Sequence, residues 1–323
     1  SGKEDTLGAA GKPVRTHFYP SRRKMQTSST PPVCDYEGSD YQQRFWDEGG
    51  RAYEDGCEAV ALKRLLPDQG QHLLELGAGA GRNTPRYVGY QKITLLDYST
   101  TQLQQAQARL GRTARYRYVA ADIYRLPFAS GVFDGATMIR TLHHMADPKL
   151  ALENVRGVLA ENAVFILEFA NKRNLKAIAR WLAGKQKWNP FDHEQVEFVE
   201  LNFNFHPKEI RRLLKESGFT LQKQLAVSFF RANWFKNHIP HDRLVAIDSA
   251  LQSTGAWAQF TPSVFSRAIA SGNSPMPAEN DFFRCPICDH ALPEAGSSQI
   301  CPGCGHTWEY RDGIYEFRIQ PES

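Results

Sequence analysis

The sequence predicts an α/β fold, a mostly parallel sheet with helices on both faces, from three observations. First, Leu73, Leu74 and Leu76 form a short apolar run that passes into Gly77, Gly79 and Gly81 at alternate positions. Such a run suits a strand buried on both faces. Glycines after a strand let the chain turn sharply and let a ligand approach the backbone closely. Second, two further apolar runs close on acids, Ile93–Leu96 on Asp97 and Tyr116–Ala121 on Asp122, and a fourth, Phe133–Ile139, ends at Arg140. Third, helical patterns separate these strands, and open sheets of that kind bind ligands at the carboxyl edge.

The residues at that edge suit a nucleoside. A carboxylate at Asp97 can accept hydrogen bonds from both ribose hydroxyls, and one at Asp122 from an adenine amino group. Tyr98 offers a ring either for adenine to stack on or for packing under its loop. A dinucleotide-binding turn wants Gly-x-Gly-x-x-Gly, whereas the spacing here is Gly-x-Gly-x-Gly.

In order, Leu-Glu-Leu-Gly-Ala-Gly-Ala-Gly, Leu-Leu-Asp-Tyr-Ser, Ala-Ala-Asp-Ile-Tyr-Arg-Leu-Pro-Phe and Phe-Asp-Gly-Ala-Thr-Met-Ile-Arg-Thr-Leu-His-His resemble the motifs of class I S-adenosylmethionine-dependent methyltransferases. The resemblance covers roughly residues 40–270 and is strongest to the branch holding quinone-ring and other small-molecule methyltransferases. It implies a Rossmann-like, seven-stranded, mostly parallel sheet, with the last strand antiparallel. It also implies S-adenosylmethionine contacts from Glu75, Gly77, Gly79, Gly81, Asp97, Tyr98, Asp122, Ile123 and Ile139. The segment before the first strand lies over the cofactor in this class, so Tyr41, Trp46 and Tyr53 are expected to close the pocket, with Arg51 pairing the methionyl carboxylate. His143 and His144, just past the fourth strand, are the candidate catalytic bases. The Asn-Pro-Pro-Tyr or Asp-Pro-Pro-Tyr signature of amino-directed enzymes is replaced by Ile139-Arg140-Thr141-Leu142. That disfavours exocyclic amino groups and glutamine amides as acceptors.

Length and composition agree with a large core plus a small module: 323 residues, 41% hydrophobic and 23% charged. The net charge of +4 is accounted for by residues 1–32, where Lys3, Lys12, Arg15, Arg22, Arg23 and Lys24 face only Glu4 and Asp5. A neutral body argues against a binder that relies on a broad basic face. No apolar run approaches the roughly 20 residues of a membrane span, and a cytoplasmic location is expected. Residues 1–35 are expected to be a disordered basic tail and 36–270 the methyltransferase domain. Insertions near 171–206 and 231–260 are expected to cap the substrate. The first holds Trp181, Trp188, Phe191, Phe198, Phe203 and Phe205, which favour an aromatic or lipophilic acceptor. Residues 271–280 read as a linker.

Residues 281–323 are expected to be a separate zinc ribbon. Cys285-Pro-Ile-Cys288 and Cys301-Pro-Gly-Cys304 form two knuckles whose sulfurs complete a tetrathiolate site. With every position filled by Cys the metal is structural, since catalytic zinc keeps an open position. Zinc is favoured and iron is the rival. The ribbon resembles small proteins that bind and activate tRNA, rRNA and translation-factor methyltransferases. Three functions follow: a methyltransferase for a small aromatic or lipophilic molecule, an RNA methyltransferase gripping its substrate with ribbon and tail, or a non-catalytic scaffold. A protein partner at the ribbon is a further expectation.

Overall fold

The computed structural model describes residues 31–34, 37–38, 50–272, 281–294 and 296–319. The expected tail, the linker, and Tyr41 and Trp46 over the pocket lie outside the described residues, apart from the ends of tail and linker.

Helix α1 (Ala52–Leu65) precedes strand β1 (Gly70–Leu76). There follow β2 (Tyr90–Asp97), α2 (Thr100–Leu110), β3 (Tyr116–Ala120), β4 (Phe133–Met138), α3 (Pro148–Val158) and β5 (Leu159–Ala170). The capping logic is local. Ser99 accepts a hydrogen bond from the Gln102 N–H and begins α2, and Gly111 ends it at φ 81°. Asp147 caps α3 ahead of Pro148, whose missing N–H costs nothing in a first turn. Beyond β5 come α4 (Leu175–Leu182), the hairpin β6 (Val196–Val199) and β7 (Asn202–Asn204), and α5 (Pro207–Glu216). The chain continues through β8 (Phe219–Val227), α6 (Asn233–His238), α7 (His241–Leu251) and β9 (Ser263–Ala270).

Strands β3-β2-β1-β4-β5-β9-β8 stand side by side, with β9 antiparallel to both neighbours and the rest parallel. This is the seven-stranded sheet the sequence implies. Strand β8 begins at Phe219, which pairs with Ala270 and buries its ring on Phe165. In the segment 231–260, α7 packs on α1. Tyr53 donates to Asp248 (2.7 Å), Gln252 donates to the Cys57 carbonyl (3.0 Å), and Arg64 donates to Ser249 (2.8 Å).

The ribbon is no separate unit. Its strands are β10 (Phe283–Arg284), β11 (Ala291–Leu292), β12 (Gln299–Ile300), β13 (Thr307–Arg311) and β14 (Ile314–Glu316). Strand β14 runs parallel to β3, pairing Tyr315 with Val119, so β12-β13-β14 enlarge the sheet to ten strands. An edge strand presents unpaired backbone groups, and the ribbon covers the β3 edge. Apolar contacts complete the join. Phe283, fully buried, meets Phe128, Tyr315 and Phe317 at ring distances of 5.8, 4.7 and 5.0 Å. Phe282 stacks on His72 at 5.2 Å, and the Arg117 guanidinium lies over the same ring, 4.1 Å from its centroid. The Phe282 carbonyl accepts from the Ala129 N–H (2.9 Å), and the Arg284 N–H donates to Pro127 (3.0 Å). These rings belong to the same buried cluster as Leu74, Leu96 and Phe133.

One shared core unfolds as one. Phe283→Ala is expected to destabilise the whole protein by about 3–5 kcal/mol, seen as a single shifted transition in denaturant. A separate early transition confined to the ribbon would contradict the shared core.

Candidate active site and metal cluster

The carboxyl edge of β1, β2, β3 and β4 opens on one cavity of about 1030 Å³, counting the part open to solvent. The glycine turn forms its floor. Gly77, Gly79 and Gly81 all have positive φ (65°, 54° and 71°), which side chains rarely tolerate. A Cβ on Gly77 would strike the Thr141 side chain, whereas one on Gly79 would have only Gln102 near it, at 3.7 Å. Gly77 is therefore fixed by packing, and Gly79 by backbone conformation beside the open cavity.

Three carboxylates reach the cavity. Asp97 ends β2, and its two oxygens accept from the Gly79 N–H (2.8 Å) and the Ser99 N–H (2.9 Å). It thus holds the glycine turn as well as facing the cavity. Asp122 accepts from the Tyr124 N–H (2.8 Å), and burial raises its pKa. Glu75 is buried within β1 and accepts from Thr84 Oγ1 (2.6 Å) and the Tyr87 hydroxyl (3.2 Å), to which Thr137 in turn donates (3.2 Å). Burial outweighs those bonds and lifts the Glu75 carboxyl to about 7.

Glu75, Gly77, Gly79, Asp97, Tyr98, Asp122, Ile123 and Ile139 all line the cavity, as does His144. Gly81 lies outside the lining, packed at the turn's back where a Cβ would meet Leu110 and Ala106. Arg51 is also outside: it stands at the start of α1, 4.0 Å from Glu54. The cavity's cations are Arg82 and Arg140. Both converge on Glu58, wholly buried on α1, at 2.7 and 2.5 Å. Burial pulls the Glu58 carboxyl up, but the two guanidinium groups win and hold it near 2. Arg140 occupies the left-handed region (φ 55°), and its N–H donates to Glu168 (3.0 Å). The sequence reading missed Glu58, Arg82, Tyr87, and Val33 and Cys34, which line the cavity from the N-terminal side.

The two histidines part company. His144 Nδ1 lies 3.0 Å from the Leu201 carbonyl, which only accepts, so Nδ1 carries the proton and Nε2 keeps its lone pair. Burial lowers the His144 pKa. His143, its ring tilted against that of His144 at 4.0 Å, does not line the cavity. Burial, then His144, Arg140 and Arg231, hold it well below the usual range.

The ribbon reaches this site. Arg318, just past β14, donates to the Tyr98 carbonyl (3.1 Å) and to Thr100 Oγ1 (2.6 Å), and it pairs with Glu316 (2.6 Å) and Glu37 (3.1 Å). Glu37 accepts from the Thr100 N–H (2.9 Å) and the Thr101 N–H (3.0 Å), at the start of α2. The four cysteine sulfurs all lie within 4.8 Å of one another, with Cys285–Cys304 at 3.7 Å and Cys288–Cys301 at 3.5 Å. A disulfide needs about 2.05 Å. A tetrahedral thiolate site with metal–sulfur bonds of about 2.3 Å needs roughly 3.8 Å between sulfurs, so the donor set fits a tetrathiolate metal. Each knuckle closes alike: the Cys285 N–H donates to His290 and the Cys301 N–H to His306, with Asp289 and Gly305 at positive φ.

The comparisons agree with this geometry. Residues 74–167 match the family described as "Methyltransferase domain". Within that stretch the chain is similar to a methyltransferase domain, and a four-cysteine ribbon is joined to the same sheet. It is 30% identical over 165 residues to the O-methyltransferase resE of Aspergillus sclerotiorum, covering 48% of this chain and 57% of that one. It is 26% identical over 172 residues to the demethylmenaquinone methyltransferase of Chlamydia pneumoniae, covering 48% and 73%. The chain thus spans little more than half the length of the first of these relatives. In fold it is similar to a chain of the solved complex between a Haloferax volcanii methyltransferase activator and a methyltransferase. That match has a TM-score of 0.51 and 16% identity, over 72% of this chain and 96% of that one.

Burial of Glu75 has a sign that can be checked. Its folded pKa of about 7 lies above the usual carboxyl value of about 4.3. The protonated form therefore favours folding, and the cofactor-free protein loses stability as pH rises through that window. Glu75→Gln should remove the loss, raising stability at pH 8 by an amount on the order of 3 kcal/mol in chemical denaturation. An unchanged pH profile would contradict the assignment.

Proposed function

We propose that the protein transfers a methyl group from S-adenosylmethionine to a small acceptor through an oxygen nucleophile. The observation that carries this reading is the convergence of three carboxylates, a glycine turn and an oriented, neutral histidine on one cavity. Each carboxylate has a part to hold. Glu75 suits the ammonium of the methionyl group, Asp97 the ribose diol and Asp122 the adenine amino group, while Tyr98, Ile123 and Ile139 supply apolar walls. Arg82 and Arg140 are the cations available to the methionyl carboxylate.

When bound, S-adenosylmethionine supplies a methyl group made electrophilic by its sulfonium. The protein's task is then alignment, together with removal of the acceptor's proton. His144 is placed for the second. Its Nδ1–H is held by Leu201 at the turn of the β6–β7 hairpin, which fixes the tautomer and puts the basic lone pair on Nε2. Burial keeps the ring neutral at pH 7, so no proton has to leave it first. Through the Leu201 carbonyl, this hairpin of the 171–206 insertion touches His144. The O-methyltransferase and quinone-methyltransferase names of the relatives support a small acceptor. In the ribbon, zinc is the metal best suited to four thiolates, with a purely structural role.

His144→Gln should lower the methyl-transfer rate about 10²–10⁴-fold while leaving S-adenosylmethionine affinity unchanged, read by calorimetry and a product assay over a panel of phenols and hydroquinones. Equal rates for the two proteins would remove His144 from the mechanism.

A further inference from the structure

Arg231 has no role in the site as described, yet it stands at the same edge of the sheet. It follows β8, whose carboxyl end lies level with those of β4 and β5, since β9 is antiparallel to both β5 and β8. Its backbone is tightly held. Asp248 accepts from the Phe229 N–H (2.8 Å) and from the Tyr53 hydroxyl, which itself accepts from the Phe230 N–H (2.9 Å). The turn begins at Ser228 with φ 67°, a conformation that persists only when its surroundings over-determine it.

Two of the three nitrogens of the guanidinium at the end of this mount are unsatisfied, on a side chain that is half-buried. Nε and Nη2 are out of solvent contact and meet no hydrogen-bond partner. The acids that act on it are Glu168, Glu58 and Glu54, and each is already engaged. Glu58 holds Arg82 and Arg140. Glu168 accepts from the Arg140 N–H and the Ser263 hydroxyl. Glu54 pairs with Lys236 and Arg51 through Oε1, and its Oε2 has no hydrogen-bond partner. Buried guanidinium N–H groups without partners are costly, and the planar fork of an arginine matches a carboxylate in two parallel bonds. His143, beside catalytic candidate His144, is the histidine that feels this charge. The cofactor cavity has its own arginines, Arg82 and Arg140, and Arg231 is not in its lining.

We propose that Arg231 is the docking point for a carboxylate on the methyl acceptor, so that the acceptor is an aromatic or lipophilic acid. This rests on the methyltransferase reading. The guanidinium takes the carboxylate at the β8 edge and thereby orients the acceptor's hydroxyl towards His144.

The test is calorimetric titration of the full chain, with and without S-adenosylhomocysteine, using benzoate, 4-hydroxybenzoate and cinnamate against their amides. The carboxylates should bind about tenfold tighter than the amides. Arg231→Met should abolish the difference, Arg231→Lys should keep part of it, and both should leave S-adenosylmethionine affinity within twofold of the unaltered protein. Equal affinity of the unaltered protein for acids and amides would overturn the proposal. So would a tenfold loss of S-adenosylmethionine affinity in Arg231→Met, which would give the guanidinium to the cofactor's own carboxylate. Failure of the unaltered protein to bind S-adenosylmethionine would defeat the methyltransferase reading instead, and the acid-against-amide comparison without cofactor would still decide the role of Arg231.

Discussion

The parallel pairing of β14 with β3 is the constraint on which much of this structure depends. Strand β3 is where the seven-stranded sheet ends, and it also delivers Asp122 to the cavity. By pairing there, the ribbon satisfies the backbone groups of the edge and carries Arg318 onto the loop after β2. That loop begins with Tyr98 and continues into the cap of α2. A single side chain therefore ties the metal-binding module, the N-terminal segment at Glu37 and the Tyr98 side of the cavity. The Phe282 and Phe283 rings supply the apolar part of the same joint.

A second constraint works on the opposite side of the cavity. Glu58 on α1 is fully buried yet ionised, because Arg82 and Arg140 reach it from the glycine turn and from the end of β4. Removing one member of such a cluster leaves uncompensated charge in the interior. The cluster therefore locks α1 to the sheet, and α7 locks α1 from outside through Asp248. Glu58, Glu75 and the half-buried Asp122 illustrate how surroundings set the outcome. Two guanidinium groups keep Glu58 ionised. Glu75, with only hydroxyl donors, is lifted to about 7. Asp122, held by one backbone N–H, is also raised.

Most of the cofactor half was legible in the sequence because its signals are local. A strand, its glycine turn and the acid ending the next strand sit at fixed short spacings, and Glu75, Gly77, Gly79, Asp97 and Asp122 came together as that spacing implies. The rest depends on contacts between distant residues. Arg51 carries no mark of pairing with Glu54 rather than facing the cavity, and Glu58 none of being the partner of Arg82 and Arg140. His143 and His144 are adjacent and alike in sequence; only the Leu201 carbonyl, brought by a hairpin 57 residues on, separates them. The ribbon's cysteines announced a metal site, but Phe282 and Phe283 beside an apparent linker did not announce a shared core.

The measurement that tests the central claim most directly is S-adenosylmethionine affinity by calorimetry, before and after metal is stripped from the ribbon with a chelator. If the ribbon braces the cofactor site, the metal-loaded protein binds S-adenosylmethionine and the stripped protein binds it at least about tenfold more weakly, as loss of two charge-assisted hydrogen bonds from Arg318 implies. Restoring zinc returns the affinity. Equal affinity in both states would contradict the brace, and absence of binding in both would contradict the cofactor site itself.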